Sequence, residues 1–217
     1  VNQVIAISSS SISNKQGTKN SAELAVIDEL VSAELALEIA CEEKDIPLTI
    51  LRPTLVYGCG LDKNLSRIVT WLQKRPWFPI AGKAQGLRQP VHAEDIAQLC
   101  LNCVDLERAA AGVFSIGGAE PLPYKDMVRL TARAIERPLM FLPLPARLLA
   151  KMLDLVAKLP HFKGLNGAMV ERQNQDLVVD HRLAERRLQW RPRAFAPDAT
   201  CFMPPQSLKP NSSTQRE

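Results

Sequence analysis

The chain lacks the apolar segments that mark membrane and secreted proteins. Its 217 residues include no uncharged apolar run of about 18 residues, close to the length that a membrane-spanning helix needs. The N-terminus also lacks a basic stretch followed by an apolar run, which is the pattern of a secretory signal peptide. We therefore expect a cytoplasmic protein without a transmembrane segment.

Cysteine is scarce and irregularly placed. An odd count of five fits reduced thiols better than a disulfide framework. Cys100 and Cys103 form a C-x-x-C in a segment with helical periodicity, and no second Cys or His pair lies nearby to complete a zinc site. We predict a structural role for this pair and no bound metal. Cys59 lacks an identifiable base, which makes it a weak nucleophile candidate.

Neither sign of charge is in large excess over the whole chain. A net charge of +4 is compatible with small anionic metabolites, but it is too weak to predict nucleic-acid binding. With 46% hydrophobic and 23% charged residues, the composition is that of an ordinary globular chain. The length suffices for one large domain, or for one domain and part of another.

The first third of the chain has the pattern of a strand–helix–strand unit. An apolar run, VIAI, ends in four serines, and residues 21 to 44 carry apolar side chains at helical spacing. Pro47 breaks this helix, and a second apolar strand follows at residues 48 to 51. The unit has the size of a right-handed crossover, so periodicity predicts an α/β fold with parallel strands.

The rest of the chain alternates in the same way. We predict helices at 65–74, 93–106, 124–136 and 146–159, strands at 89–92 and 112–116, a loop at 76–86, and an edge strand or extended connection at 138–145. Residues 197–217 are rich in proline and polar residues and are predicted to be a disordered tail.

Several blocks, in the right order, resemble the extended short-chain dehydrogenase/reductase superfamily. They are TILRPTLVYGCG at residues 49 to 60, RQPVHAEDIA at 88 to 97, GVFSIGGAEPLPYKDM at 112 to 127, and a closing pattern that includes Asp180, Leu188 and Trp190. The likeness is to nucleotide-sugar epimerases and dehydratases in particular. It implies an isomerase or oxidoreductase chemistry that depends on NAD or NADP.

The resemblance implies a division of the chain. Residues 1–60 would be the C-terminal half of a Rossmann-type doubly wound parallel sheet, to which later strands can return. Residues 61–196 would form a smaller α/β substrate-binding region, and residues 197–217 would be the disordered tail.

The resemblance also implies roles for six residues. Ser10, with Ser9 as the alternate, would polarise an oxygen of the sugar. Pro53 and Tyr57 would lie beside the cofactor. Arg88 would hold the diphosphate of a nucleotide-linked sugar, for which a guanidinium is well shaped, and His92 would line the substrate site.

Structural roles are the alternatives for the same residues. Arg88 could instead be a surface arginine paired with Glu94 or Asp95. Tyr57 could serve only in packing. His92 could belong to the fold around the site, since no carboxylate is assured to orient it as a general base.

Two features of the family pattern are absent. No Gly-rich turn with the phosphate-binding spacing follows a strand, although such a turn normally holds the cofactor pyrophosphate. The missing half would be roughly 90 residues, since each strand–helix–strand unit takes 30 or more. This predicts a C-terminal fragment or a truncated reading frame.

The second absence concerns the Tyr-x-x-x-Lys acid/base pair. If Glu34 is aligned with the acidic residue that commonly follows this pair, Val26 takes the Tyr position and Leu30 the Lys position. Neither side chain can transfer a proton. Loss of a positioned acid/base costs on the order of 10²- to 10⁴-fold in rate, so ordinary turnover is not expected.

Three hypotheses on function follow. The first is an NAD(P)-dependent nucleotide-sugar epimerase/dehydratase-like protein with impaired acid/base catalysis. The second is a non-catalytic binding or assembly protein of the same fold, which forms a homodimer or docks a partner through the amphipathic helix at 146–159. The third is a C-terminal fragment without a function of its own.

Overall fold

The structure is a computed structural model that describes residues 1–14, 18, 20–106, 110–156 and 168–204. The end of the predicted helix at 157–159 and the predicted tail beyond residue 204 lie outside these residues. Across the described ranges, no helix is both long and apolar enough to cross a membrane.

The described residues alternate between short strands and helices. The strands are β1 (Val4–Ile7), β2 (Leu48–Pro53), β3 (Val56–Tyr57), β4 (Trp77–Ala81), β5 (Leu87–Arg88), β6 (Val91–His92), β7 (Gly112–Ile116), β8 (Leu122–Pro123) and β9 (Met140–Leu144). The helices are α1 (Ser11–Asn14), α2 (Ser21–Glu42), α3 (Leu65–Lys74), α4 (Ala93–Leu106), α5 (Tyr124–Ala134), α6 (Ala146–Val156), α7 (Ala168–Arg172) and α8 (Arg182–Leu188). A 3₁₀ helix spans Ala199–Phe202.

A parallel sheet in the order β1-β2-β7 forms the centre of the molecule. Ile50 of β2 lies opposite Ala6 of β1 and Val113 of β7. As the middle strand, β2 buries Ile50 and Leu51, which are 1% and 0% exposed. The long helix α2 makes the crossover between β1 and β2. The predicted α/β class, with its parallel strand–helix–strand unit, is confirmed.

One face of this sheet is covered by α4 and α8. The buried cluster there comprises Leu51, Val91, Ile96, Leu99, Cys103, Ala110, Phe114, Ile116, Ala184, Leu188 and Trp190. Cys103 of the C-x-x-C thus packs in the core. β7 follows α4 and returns to the first sheet, so the central sheet draws on strands from both halves of the chain.

A second layer is built from pairs of short strands. β3 pairs with β6 and β4 with β9, both in parallel, while β5 pairs with β8 in antiparallel orientation. The prediction of an extended edge segment at 138–145 is confirmed by β9. The predicted loop at 76–86 is wrong for its first half, because Trp77–Ala81 pairs along its whole length with Met140–Leu144.

The predicted tail is ordered at its start. Asp198 caps the 3₁₀ helix by accepting hydrogen bonds from the backbone N–H groups of Thr200 and Cys201. Cys201 is 8% exposed and joins the second buried cluster with Tyr57, Leu65 and Phe78. The prediction that disorder begins at residue 197 is therefore wrong for residues 197–204. Apolar side chains of this segment are buried against α3 and β3.

Helix α2 presents more apolar surface to solvent than a helix of a closed domain normally does. Only Ile27, Glu34 and Cys41, spaced seven residues apart, are buried. Large apolar side chains on its other faces are exposed by between 39% and 54%: Leu24, Val26, Val31, Leu35 and Ile39. In the described chain, β1 also has an unpaired outer edge, since β2 is its sole strand neighbour.

Candidate functional site

The serine cluster lies at the carboxyl edge of the central sheet. Past the end of β1, the backbone N–H of Ser8 donates to the Leu51 carbonyl at 2.8 Å, and that of Ser10 donates to the Pro53 carbonyl at 3.0 Å. The ladder continues across β2, where the Thr54 N–H donates to the Ile116 carbonyl at 2.9 Å. Ligands of open α/β sheets bind at this edge.

The serines differ in what their side chains do. Ser9 Oγ donates to Ser11 Oγ at 3.0 Å and accepts from the Ser11 N–H at 3.1 Å, which fixes the turn that starts α1. Ser10 is 6% exposed and lies beside the end of β2. The alternate candidate Ser9 is therefore engaged in a local turn, while Ser10 is the serine tied directly to Pro53.

A buried ion pair lies behind the serines. Arg52 Nε donates to both carboxylate oxygens of Glu34, at 3.0 and 3.1 Å, and Arg52 Nη2 donates to Glu34 Oε2. Burial by itself raises the pKa of Glu34, but the hydrogen bonds and charge of Arg52 outweigh it, so this pKa lies below its ordinary 4.5. Ser8 Oγ lies nearby and is buried without a hydrogen-bond partner among the described residues.

Tyr57 and His92 pack together at adjacent positions of the β3–β6 pair. Their ring centroids are 5.0 Å apart in edge-to-face geometry, and the ring of Phe195 packs on Tyr57 at the same distance. Burial raises the pKa of Tyr57 to about 12. The phenol therefore stays protonated at neutral pH, and its ring is a wall of the core.

His92 is held in one tautomer. The backbone N–H of Glu94 donates to His92 Nδ1 at 3.2 Å, so the proton of the neutral ring lies on Nε2, which is 3.8 Å from Cys201 Sγ. Burial and the positive charge of Arg193 lower the pKa of His92. Because Nε2 carries the proton, His92 cannot accept a proton from the Cys201 thiol, and the two do not form a nucleophile–base pair.

Gly58 is required by this packing. Its φ of +121° is disfavoured for other residues, and a Cβ atom there would lie 2.6 to 2.9 Å from the His92 ring. The glycine of the block LVYG thus allows the imidazole to approach the backbone.

Arg88 is a buried arginine that holds three backbone carbonyls. Nη1 donates to Leu87 O at 2.7 Å and to Gln175 O at 2.8 Å, and Nη2 donates to Arg172 O. The residue is 5% exposed, and burial lowers its pKa to about 10. Its guanidinium carbon lies 5.3 Å from the centre of the Tyr124 ring.

The alternative of a surface pair between Arg88 and Glu94 or Asp95 is wrong. Arg193 takes that place, with Nε donating to Asp95 at 2.7 Å and Nη1 to Glu94 at 3.1 Å. The side chain of Arg88, which lies on β5, is turned inward and contacts the segment after α7, where it donates to the Gln175 carbonyl. The two acidic residues instead tie the C-terminal segment to the start of α4.

Gln89 is a site residue that sequence reasoning missed. Its Nε2 donates to the Gly118 carbonyl at 2.9 Å and lies 3.1 Å from His181 Nδ1, while its Oε1 accepts from the Val179 N–H at 3.1 Å. A Cβ atom on Gly117 would collide with its amide. The adjacent glycines Gly117 and Gly118 after β7 were the sequence signal for this contact, because glycine allows another group to approach the backbone closely.

Val26 and Leu30, which are predicted to take the Tyr and Lys positions of the acid/base pair, lie on α2 in the stretch that leads to Glu34. Val26 is 52% exposed and Leu30 is partly exposed. Residues four apart lie on one side of a helix, so Val26, Leu30 and Glu34 follow one another along it. Glu34 is the one ionisable group of the three, and Arg52 already holds its carboxylate.

The six predicted site residues fall into neighbouring groups. Ser9, Ser10 and Pro53 meet at the sheet edge, Tyr57 and His92 pack against each other, and Arg88 lies with Tyr124 and the segment after α7. The strands β5 and β6, one turn apart in sequence, connect the last two groups. Two surface grooves of the described chain are lined by none of these residues.

The described residues fit only part of a dinucleotide site. A pyrophosphate needs a Gly-rich turn before a helix N-terminus, whereas β1 is followed by serines and the four-residue helix α1. Pro53 and the serines supply a sheet edge of the kind that lies beside a nicotinamide. The described part of the chain therefore contains no Gly-rich turn that could hold the pyrophosphate of a nicotinamide dinucleotide.

The chain is similar in sequence to two curated proteins. UDP-glucose 4-epimerase from Vibrio cholerae is 27% identical over 163 residues, which are 74% of this chain and 46% of that protein. An uncharacterized protein of Sinorhizobium fredii is 26% identical over 108 residues, which are 48% of this chain and 27% of its own length. The chain spans less than half the length of these curated relatives. No protein-family model matches it.

Solved structures share the fold at low identity. UDP-N-acetylglucosamine 4-epimerase from Bacillus cereus matches with a TM-score of 0.63 and 14% identity over 93% of this chain and 62% of its own. UDP-glucuronic acid 4-epimerase from Bacillus cereus, solved with NAD, has a TM-score of 0.63 and 19% identity over 94% and 60%. RMD from Pseudomonas aeruginosa, solved with NADPH, has a TM-score of 0.61 and 10% identity over 93% and 66%. Together with the sequence similarity to UDP-glucose 4-epimerase, these matches show that the chain has the α/β fold of the nucleotide-sugar epimerases it resembles.

Proposed function

We propose that the chain is the substrate-facing part of an NAD(P)-dependent nucleotide-sugar epimerase/dehydratase-like protein in which proton transfer is impaired. The observation that carries this proposal is the hydrogen bond from the Ser10 N–H to the Pro53 carbonyl, which holds the serine cluster at the carboxyl edge of the parallel sheet. Substrates of α/β folds bind at that edge. The likeness to UDP-glucose 4-epimerase supports a UDP-linked sugar as the ligand class.

In this proposal Ser10 orients a sugar hydroxyl, and Pro53 and Tyr57 form the wall on the cofactor side. Arg88 contacts the diphosphate through donors on Nε and Nη2 that no described carbonyl uses. His92, neutral because its pKa is lowered, shapes the site without acting as a base. NAD or NADP, when bound, would supply hydride transfer at a sugar carbon.

The impairment is argued from Val26 and Leu30. Neither has an ionisable group, and the nearby Glu34 has a lowered pKa and is held by Arg52, so it is a poor proton donor at neutral pH. We therefore expect binding of the substrate class without efficient turnover.

The test is calorimetric titration of the chain with UDP-glucose and with UDP. UDP-glucose should bind, and Ser10→Ala should weaken it by about three- to tenfold, the worth of one hydrogen bond, while binding of UDP stays unchanged. Ser13→Ala on exposed α1 is the matched control and should leave both affinities unchanged. With NAD⁺ added, epimerisation of UDP-glucose should be slow or absent.

Two outcomes would contradict the proposal. Absence of UDP-glucose binding by the folded chain would remove the substrate class, and rapid epimerisation would remove the inferred defect in proton transfer. Equal weakening by Ser10→Ala and Ser13→Ala would show that Ser10 has no specific contact.

A second candidate function is a non-catalytic assembly role through α6. Leu148 and Met152 are each 50% exposed and Leu155 is 67% exposed, whereas Leu149 on the inner side is 4% exposed. A helix that buries one face and exposes another apolar face is suited to association. Sedimentation should show a concentration-dependent homodimer that Leu148→Glu/Leu155→Glu disrupts. A monomer at all concentrations would exclude this role for α6.

A further inference from the structure

A basic groove lies between the end of α5 and β9. It has a volume of about 330 Å³ and is lined by Arg129, Ala132, Arg133, Arg137, Leu139 and Phe141. None of the residues assigned to the proposed sugar site lines it. α5 starts at Tyr124, beside Arg88, and an α-helix rises 1.5 Å per residue, so Arg133 lies about 14 Å further along the helix. The groove is therefore separate from the proposed diphosphate contact at Arg88.

Positive charge in the groove is only partly neutralised. Arg129 forms an ion pair with Asp126. Arg133 and Arg137 are both exposed, and neither forms an ion pair with a carboxylate of the described residues. Glu136 lies between them in sequence and likewise forms no ion pair in the described chain. Two guanidinium groups are thus free to meet an anion.

The backbone brings these arginines to one place. After α5 the chain turns back through Glu136, whose φ is +52°. The Glu136 N–H donates to the Arg133 carbonyl and the Arg137 N–H to the Ala132 carbonyl, both at 3.0 Å, which is the hydrogen-bond pattern of a Schellman cap. Arg137 is thereby folded back over the last turn, where Arg133 lies.

An aromatic ring forms the wall of the groove. Lys125 Nζ and the Arg129 guanidinium carbon lie 5.1 and 5.6 Å from the centre of the Phe141 ring. These cation–π contacts fix the ring and keep Arg129 beside it. Ala132 and Leu139 supply the apolar part of the lining. The groove therefore presents Arg129, held by Asp126 and the Phe141 ring, beside the two unpaired arginines.

We propose that this groove binds a small soluble anion that carries two or more phosphate groups. Guanidinium groups bind phosphate oxygens through paired, charge-assisted hydrogen bonds, and two such groups suit a ligand with more than one phosphate. The volume is that of a small-molecule site rather than of a macromolecular surface. The proposal does not depend on the proposed function, because the two sites share no residue.

The probe is inorganic pyrophosphate, titrated by calorimetry into the full 217-residue chain at low ionic strength. We expect pyrophosphate to bind more tightly than orthophosphate, and its affinity to fall as NaCl is added, because exposed charges are screened. Arg133→Gln/Arg137→Gln should weaken pyrophosphate at least about tenfold, since two charge-assisted contacts are removed. Arg147→Gln, which removes one exposed arginine outside the groove, should leave it unchanged.

UDP-glucose binding is measured in the same variants to separate this site from the proposed sugar site. It should be unaffected by Arg133→Gln/Arg137→Gln and by Arg147→Gln. All of the substituted arginines are exposed, so thermal unfolding should confirm an intact fold. The inference is overturned if the folded chain does not bind pyrophosphate, or if the double variant binds it as tightly as the unmodified chain. Binding only to vesicles with anionic phospholipid, without binding of pyrophosphate, would also overturn it.

Discussion

At the scale of single residues, buried charge organises the structure around the candidate site. Arg88 and Arg52 both come from short sequence blocks that resemble the family, yet each holds protein groups: backbone carbonyls for Arg88 and the Glu34 carboxylate for Arg52. Removing one member of a buried charged network leaves its partners unsatisfied. Substitutions here should therefore lower stability whether or not a ligand binds.

Arg88→Lys should lower the free energy of unfolding by about 2–4 kcal/mol, since an ammonium group cannot reproduce hydrogen bonds to three separate carbonyls. Urea denaturation measures the change. Arg147→Lys, on the exposed face of α6, is the control and should leave stability unchanged within about 0.5 kcal/mol. An equally stable Arg88→Lys chain would mean that the guanidinium is not structural, which would favour its role as a phosphate contact.

Glu34→Gln should lower stability at neutral pH by roughly 1–3 kcal/mol, as expected for a partly buried ion pair. The folded-state pKa of Glu34 is depressed, so its stabilisation is fully present above its ordinary pKa of 4.5 and is lost as pH falls through the lower folded value. The difference in unfolding free energy between Glu34→Gln and the unmodified chain should therefore shrink below pH 4.5. A difference independent of pH would contradict the assignment.

At the scale of elements, the turns that end helices determine which side chains come into contact. Gln189 ends α8 in the left-handed region, with φ +56° and ψ +35°, and its N–H donates to the Ala184 carbonyl. This turn places the next residue, Trp190, in the sheet core, where the indole Nε1 donates to the Gly117 carbonyl at 2.9 Å. A left-handed conformation is costly for a residue with a side chain.

Gln189→Gly should therefore stabilise the chain by about 0.5–1 kcal/mol, because glycine relieves the left-handed strain but loses more entropy on folding. Gln189→Ala retains the strain and serves as the matched control without a gain. Both are measured as shifts in the urea midpoint. A destabilised glycine variant would show that the Gln189 side chain makes a contact worth more than the strain.

At the scale of the whole molecule, the segment after α8 joins the two layers. Arg193 binds the start of α4, Phe195 packs on Tyr57, and Cys201 lies against His92. A chain that ends at residue 196 should be less stable than one that ends at residue 204 by roughly 2–4 kcal/mol, the worth of one or two buried apolar side chains. Equal stability of the two truncations would mean that the 3₁₀ helix adds nothing.

Proline residues made the strand β4 difficult to predict from the sequence. β4 includes Pro79 and follows Pro76, so its apolar residues were interpreted as a loop. Parallel pairing with β9 tolerates this proline because β4 pairs with a single strand in the described chain. Two-residue strands such as β3 and β8 are too short to carry a periodic signal. They form because the neighbouring segments bring β3 beside β6 and β8 beside β5.

The sequence by itself determined the α/β class, the crossover unit of β1, α2 and β2, and the blocks that resemble nucleotide-sugar epimerases. These features are local, and periodicity and residue identity encode them directly. Only the tertiary structure decided that Arg88 turns inward, because the carbonyls it holds lie 84 and 87 residues further along the chain. Tertiary structure likewise gave His92 its neighbour Cys201, 109 residues away, since no local pattern encodes such a distant contact.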